Sequence, residues 1–213
     1  MQLPSNHTPK FITFEGPEGS GKTSHIPPLV EYLRTSGYNV FATREPGGTS
    51  IGEQIRDVIH KLENTEMHPR AETLLYQAAR AQIVEQIIRP KLEQGFIVLC
   101  DRYADSTIAY QGYGHQQDLV QIHSLVRYAT GGLVPDMTVL LDVDVELGLK
   151  RKKKENEWNR LDAYDLEFHK RVRTGYLAMM RQEPGRWIIV DATRNWEIVQ
   201  HDLRRVIEEN LKH

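Results

Sequence analysis

The chain has 213 residues, 39% hydrophobic and 26% charged, with a formal net charge of −2. That length supports one sizeable core, and the near-balanced charge demands neither a nucleic acid nor an anionic membrane as partner, so phosphate binding must come from local clusters. A lone Cys100, inside the apolar run GFIVLCD, excludes an intramolecular disulfide framework, fits a reducing compartment and is expected to be a small core residue.

The start, MQLPSNHTPK, lacks the apolar region of a signal peptide. No apolar run approaches the roughly 20 residues needed to span a bilayer. A flexible tail over 1–10, a single domain over 11–213 and a cytoplasmic location without membrane partner are therefore expected. From Phe11, FITFEG reads as a strand that runs into GPEGSGKT, Gly16 to Thr23. This is the phosphate loop G-x-x-x-x-G-K-S/T in its required context, a strand before and a helix after. Residues Gly16, Pro17, Glu18, Gly19, Ser20 and Gly21 let backbone N–H groups curl around an anion, Lys22 adds a full charge, and the Thr23 hydroxyl can join a Mg²⁺ shell. The loop predicts a bound polyphosphate but leaves the fate of its phosphate open.

A second strand, YNVFATR from Tyr38, ends in Arg44-Glu45-Pro46-Gly47-Gly48-Thr49. The following RAETLLYQAARAQIVEQIIRPKL predicts a long helix with a core face of Ala71, Leu74, Leu75, Ala78, Val84, Ile87 and Ile88. Tyr76 and Arg80 stand one turn apart on an adjacent face. The third strand, FIVLCD from Phe96, ends in Asp101-Arg102-Tyr103, and MTVLLD from Met137 and RWIIVD from Arg186 are the fourth and fifth. Strands apolar on both faces and separated by helices predict an α/β fold with a parallel sheet covered on both sides. Ligands in such sheets lie at the carboxyl ends of the strands. Arg44 and Arg102 at two of those ends imply a second anionic group beside the one in the loop, hence transfer between phosphates. Asp101 reads either as an aid to Mg²⁺, direct or through water, or as a helix cap. Between the fourth and fifth strands, the cationic LKRKKKENEWNRLD predicts a helix end and mobile loop.

FEGPEGSGKT, REPGGT, LLYQAAR and DRYADSTIAYQGYG, in that order, resemble the bacterial thymidylate kinases, and the likeness continues through RLDAYDLEFHKRVRTGYL over nearly all of the chain after Lys10. The resemblance implies the P-loop NTPase fold with a five-stranded parallel sheet, transfer of the ATP γ-phosphoryl group to thymidine monophosphate (dTMP), Mg²⁺ dependence and a homodimer. It implies that Arg44 and Arg102 clamp the acceptor phosphate, that Tyr76 stacks on thymine and that Arg80 hydrogen-bonds the base. Ser106 and Gln111 fall in the segment lining the base and sugar pocket, and Glu18 takes the place of an acid that approaches the sugar 3′-hydroxyl. Some members follow that acid with a catalytic arginine; Gly19 stands there here, so the resemblance makes the cationic segment a lid over about 150–163, and its Arg151 or Arg160 becomes the expected source of the missing cation. Lys22 and Arg102 complete the expected catalytic set.

A phosphate-monoester acceptor is already anionic and needs no strong base, so positioning, charge neutralisation and water exclusion should carry the reaction. Other readings are a kinase of another nucleoside monophosphate or of a deoxynucleoside on the same fold, a nucleotide-dependent switch, or a nucleic-acid-binding ATPase using KRKKK. Against the last two stand the absence of an N-K-x-D motif and of a further basic stripe. Nine histidines form no zinc-binding pattern.

Overall fold

A computed structural model describes residues 8–154 and 158–212. The expected N-terminal tail falls mostly, and the expected lid partly, outside the described residues. Five parallel strands, β1 (Phe11–Glu15), β2 (Val40–Arg44), β3 (Ile97–Asp101), β4 (Met137–Asp142) and β5 (Trp187–Asp191), form one sheet in the order β2-β3-β1-β4-β5. All five coincide with the apolar runs read from the sequence. β1, β3 and β4 are buried along almost their whole length, whereas the edge strands β2 and β5 carry exposed positions.

Alternation along the strands divides the core in two. Ile12, Phe14, Leu99, Val139 and Leu141 face α1 (Lys22–Thr35) and α9 (Trp196–Leu211), packing on Leu29, Leu33, Leu203 and Ile207. Phe11, Val98, Cys100 and Leu140 face the opposite layer, which includes Ile83, Ile108, Val126, Val172 and Tyr176. That layer holds α2 (Ser50–His60), α3 (Pro69–Ile83), α4 (Arg89–Glu93), α5 (Ala104–Thr107), α6 (Leu119–Thr130) and α8 (Leu166–Gln182). α3 runs through a π-helical turn, Val84–Ile88, into α4, and α5 runs into a second π-helical segment, Ile108–Gly114. α7 (Val145–Lys152) follows β4.

One sequence expectation is corrected. The predicted long helix exists, but Ala71, Leu74 and Ala78 are exposed, Leu74 at 57%. Its buried positions include Glu72, Thr73, Gln77, Ala79 and Arg80. α3 is the wall of a polar cavity, so polar groups that bond one another fill its inner face. The structure also anchors Lys10: its Nζ donates to the Asn210 backbone oxygen at 2.9 Å, and its carbonyl accepts from Val98 N at 2.8 Å. Among the described residues no helix is long and apolar enough to cross a membrane.

Candidate active site

The carboxyl ends of β1, β2 and β3 open into a cavity of about 680 Å³, within the range of small-molecule sites. At its floor the phosphate loop joins β1 to α1. Gly19 and Gly21 take left-handed φ of 67° and 86°, a backbone glycine adopts without a Cβ penalty. A Cβ at Gly19 would strike the Gly148 carbonyl, so α7 packs directly on the loop. Lys22 Nζ donates to Gly16 O (3.0 Å), Pro17 O (3.1 Å) and Ser20 Oγ (2.9 Å). Burial, then the nearby Arg102 charge, lowers the Lys22 ammonium to about 8, against the pull of Glu18, Asp101 and Glu15. Thr23 Oγ1 donates to Asp101 Oδ2 at 2.8 Å.

Arg102 organises the side of the loop. It holds a left-handed φ of 67°, a costly backbone for a non-glycine residue and one that concentrates at functional sites. Its N–H donates to Phe14 O at 2.9 Å. Nη2 donates to Glu18 Oε1 (2.8 Å), and Nη1 to Gly16 O (3.1 Å) and Tyr176 OH (3.2 Å). The guanidinium lies over the Tyr110 ring at 5.0 Å, and Tyr110 OH donates to Glu18 Oε1 at 2.6 Å. Burial would raise the Glu18 carboxyl, but Arg102, then Lys22 and the Tyr110 hydroxyl, hold it down to about 2.

Beneath the loop lies Glu15, fully buried, a residue the sequence reading did not single out. It accepts from Tyr103 N (2.7 Å), Ser106 Oγ (2.6 Å) and Tyr176 OH (2.9 Å). Burial, then the Asp105 charge, pushes its carboxyl up to about 7.

Arg44 lines the cavity and pairs with Glu53 at 2.9 Å. On α2, Arg56 and His60 join the lining one turn apart, and Arg56 Nη1 donates to Pro46 O at 2.9 Å. Sequence reasoning missed both, although Arg56 is a third guanidinium only a few residues past REPGGT. Burial, then the Arg56 charge, lowers the His60 imidazole to about 3, keeping it neutral.

The opposite side is formed by α3 and the π segment after α5. Tyr76, Arg80, Thr107 and Gln111 line it. Burial raises the Tyr76 phenol. Arg80, 1% exposed, donates to Glu45 Oε2 (2.8 Å), Gln77 Oε1 (3.2 Å), Thr107 Oγ1 (2.7 Å) and Tyr103 O (2.8 Å). Its neighbour Glu45 keeps Oε1 buried without a hydrogen bond among the described residues. Ser106, singled out from the sequence, lines the cavity with its hydroxyl committed to Glu15 and Tyr176. The next residue, Thr107, has its hydroxyl among Gln77 and Arg80.

The expected lid reaches the cavity through Lys152, Trp158, Asn159 and Leu161, and not through its two arginines. Arg151 donates to Ala192 O (2.6 Å) and Thr193 O (3.2 Å) at the turn after β5. Arg160, 5% exposed, donates to Ile59 O (2.9 Å), Tyr164 OH (2.6 Å) and Glu72 Oε2 (2.5 Å). Neither is brought beside Lys22. Glu155 to Glu157 of the expected lid lie outside the described residues.

Taken together, the cavity offers an anion cradle, four guanidinium groups (Arg44, Arg56, Arg80 and Arg102), a hydroxyl–carboxylate pair and an aromatic wall with amide and hydroxyl groups. The family model described as thymidylate kinase matches residues 14–203. A thymidylate kinase of Roseiflexus castenholzii is 50% identical, covering 94% of this chain and 93% of its own. One from Exiguobacterium is 48% identical over 95% of each chain. Among solved structures, the crystal structure of thymidylate kinase from Ehrlichia chaffeensis superposes with a TM-score of 0.77 at 34% identity, covering 93% of this chain and 98% of that one.

Proposed function

The chain belongs to the thymidylate kinase family, and from that premise we propose how its cavity performs the family's reaction. That reaction is the ATP-dependent phosphorylation of dTMP to dTDP, a step of dTTP biosynthesis. One observation carries the residue assignment: a single cavity gathers the loop residues Lys22 and Thr23, the guanidinium groups of Arg44, Arg56 and Arg102, and the Tyr76–Gln111 side.

We assign residues 16–23 to the ATP phosphates, with Lys22 placed to neutralise charge on the group being transferred. Arg44 and Arg102 hold the acceptor phosphate, and Arg56 joins them. Tyr76 stacks on the base, and Arg80, Ser106 and Gln111 line its pocket. Glu18, held ionised by Arg102, is a fixed acceptor for a sugar hydroxyl. The dTMP oxygen is anionic at neutral pH, so the attack needs alignment and charge neutralisation more than a base. Thr23 Oγ1 and Asp101 Oδ2 are hard oxygen donors side by side, a set that fits Mg²⁺. The two would hold it directly or through water, and the bound ion would supply charge neutralisation at the phosphate oxygens. Arg151 and Arg160 are the lid's two candidate guanidinium groups, and each must exchange protein partners to reach the phosphates.

A homodimer is supported by exposed apolar side chains on three helices that pack in sequence, Val58 on α2, Leu74 on α3, and Val120 and Tyr128 on α6. The buried free Cys100 supports a reducing, cytoplasmic location. The test is ADP release in a coupled assay with Mg·ATP, offering dTMP beside dUMP, UMP, AMP, GMP and CMP. Fastest turnover with dTMP is expected. Turnover only with a purine acceptor would overturn the base-pocket assignment, and acceptor-independent hydrolysis would overturn the phosphate-clamp assignment.

A further inference from the structure

Glu72 lies in the first turn of α3 with no exposed surface, and four donors from elsewhere in the chain converge on its carboxylate. Oε1 accepts from Gln111 Nε2 at 2.8 Å and His115 Nε2 at 3.0 Å. Oε2 accepts from Arg160 Nη2 at 2.5 Å and Tyr164 OH at 3.0 Å. One oxygen thus serves Gln111 of the π segment that lines the cavity and His115 at its end, and the other serves Arg160 of the lid and Tyr164 just beyond it. Burial would raise this carboxyl, but the hydrogen bonds from His115, Gln111 and Arg160 hold it down to about 2.

We propose that Glu72 is a positioning residue that ties the lid to the base side of the acceptor pocket, so that an occupied pocket and an anchored lid favour each other. The proposal rests on the acceptor-pocket reading above. Packing alone does not require a charge here, because an apolar residue of similar volume usually replaces a buried ion pair without loss. A carboxylate has about four lone-pair sites, and here two go to each side. Releasing either pair of partners leaves a buried charge half-satisfied, so the two sides are held together. Arg160 reinforces the tie: Nε donates to Ile59 O and its backbone N to His60 O, at the end of α2 that also carries cavity residues. In this arrangement Arg160 anchors the lid, with Nε, Nη1 and Nη2 each donating to protein acceptors.

The experiment uses the full chain and two variants, Glu72→Gln and Arg160→Ala. It measures dTMP binding by calorimetry, kcat, and the rate of tryptic cleavage at the exposed Lys153 and Lys154, with and without dTMP. In the unsubstituted chain dTMP should slow cleavage about tenfold, within the usual range for coupling between sites. Both variants should still bind dTMP within about threefold, lose that protection, and lose about tenfold in kcat. The double variant should be no worse than the more affected single variant, because both break one link. If Glu72→Gln does not fold, Arg160→Ala, which removes only the lid side, carries the test. Bound dTMP with protection retained in the folded variants would overturn the proposal alone. Failure of the unsubstituted chain to bind dTMP would overturn the acceptor-pocket reading and the proposal with it.

Discussion

Replacing Arg102 by alanine tests whether the strand-end guanidinium serves both structure and chemistry. The side chains of Arg102 and Glu18 keep 17% and 15% of their surfaces exposed and meet at 2.8 Å. Breaking a buried pair by removing one partner costs about 3–5 kcal/mol, and the residual exposure places this one near 3. The Glu18 carboxyl is lowered from 4.5 to about 2 by Arg102, Lys22 and Tyr110 together, against burial, a net ~3 kcal/mol at about 1.4 kcal/mol per unit, with Arg102 the largest favourable part. The sign follows from the depressed value. This stability is present above pH 4.5 and is lost as the pH falls toward about 2. Urea unfolding at pH 7 should therefore show Arg102→Ala destabilised by about 3 kcal/mol, with a smaller deficit at pH 4, where the freed Glu18 takes up a proton. In the double variant with Glu18→Gln the loss should be recovered by about 2 kcal/mol. Turnover should not recover: losing one preorganised donor costs about 10²–10³-fold in kcat. A coupling below about 0.5 kcal/mol, or a kcat within fivefold of the unsubstituted chain, would refute the reasoning.

Lys22→Ala should lose about 10²–10³-fold in turnover with a nearly unchanged urea midpoint, since its bonds stay within one loop; near-normal coupled-assay rates would remove it from the mechanism. Glu15, raised from 4.5 to about 7, binds its proton more tightly in the folded chain. Its contribution is full below pH 4.5 and declines as the pH rises through about 7, by up to ~3 kcal/mol, and Glu15→Gln should flatten that part of the stability curve. Tyr76→Phe should leave kcat and the dTMP KM within about twofold, because the ring face carries the stacking energy; a tenfold rise in KM would instead assign the hydroxyl a ligand contact.

The strands and the loop were legible because each is a local statement. An apolar run bounded by turns has few alternatives to a buried strand, and the spacing of Gly16, Gly21, Lys22 and Thr23 fixes one backbone shape. The inner face of α3 was not legible, because hydrophobic periodicity assumes that buried means apolar. Here Glu72, Gln77 and Arg80 are buried by bonding to Arg160, Thr107 and Glu45, partners 88, 30 and 35 residues away. Such groups bury without penalty only when their donors and acceptors are matched, and the matching appears only once the chain has folded. The lid arginines show the same limit. Charge marked Arg151 and Arg160 as available cations, yet each is engaged by an acceptor that nothing in its own neighbourhood announces. Adjacent residues diverge for a related reason. Ser106 and Thr107 differ by one position, but the helix turns one hydroxyl toward Glu15 and the other toward Arg80. A motif can therefore bring a segment to the site, while long-range partners decide which of its atoms remain available to a ligand.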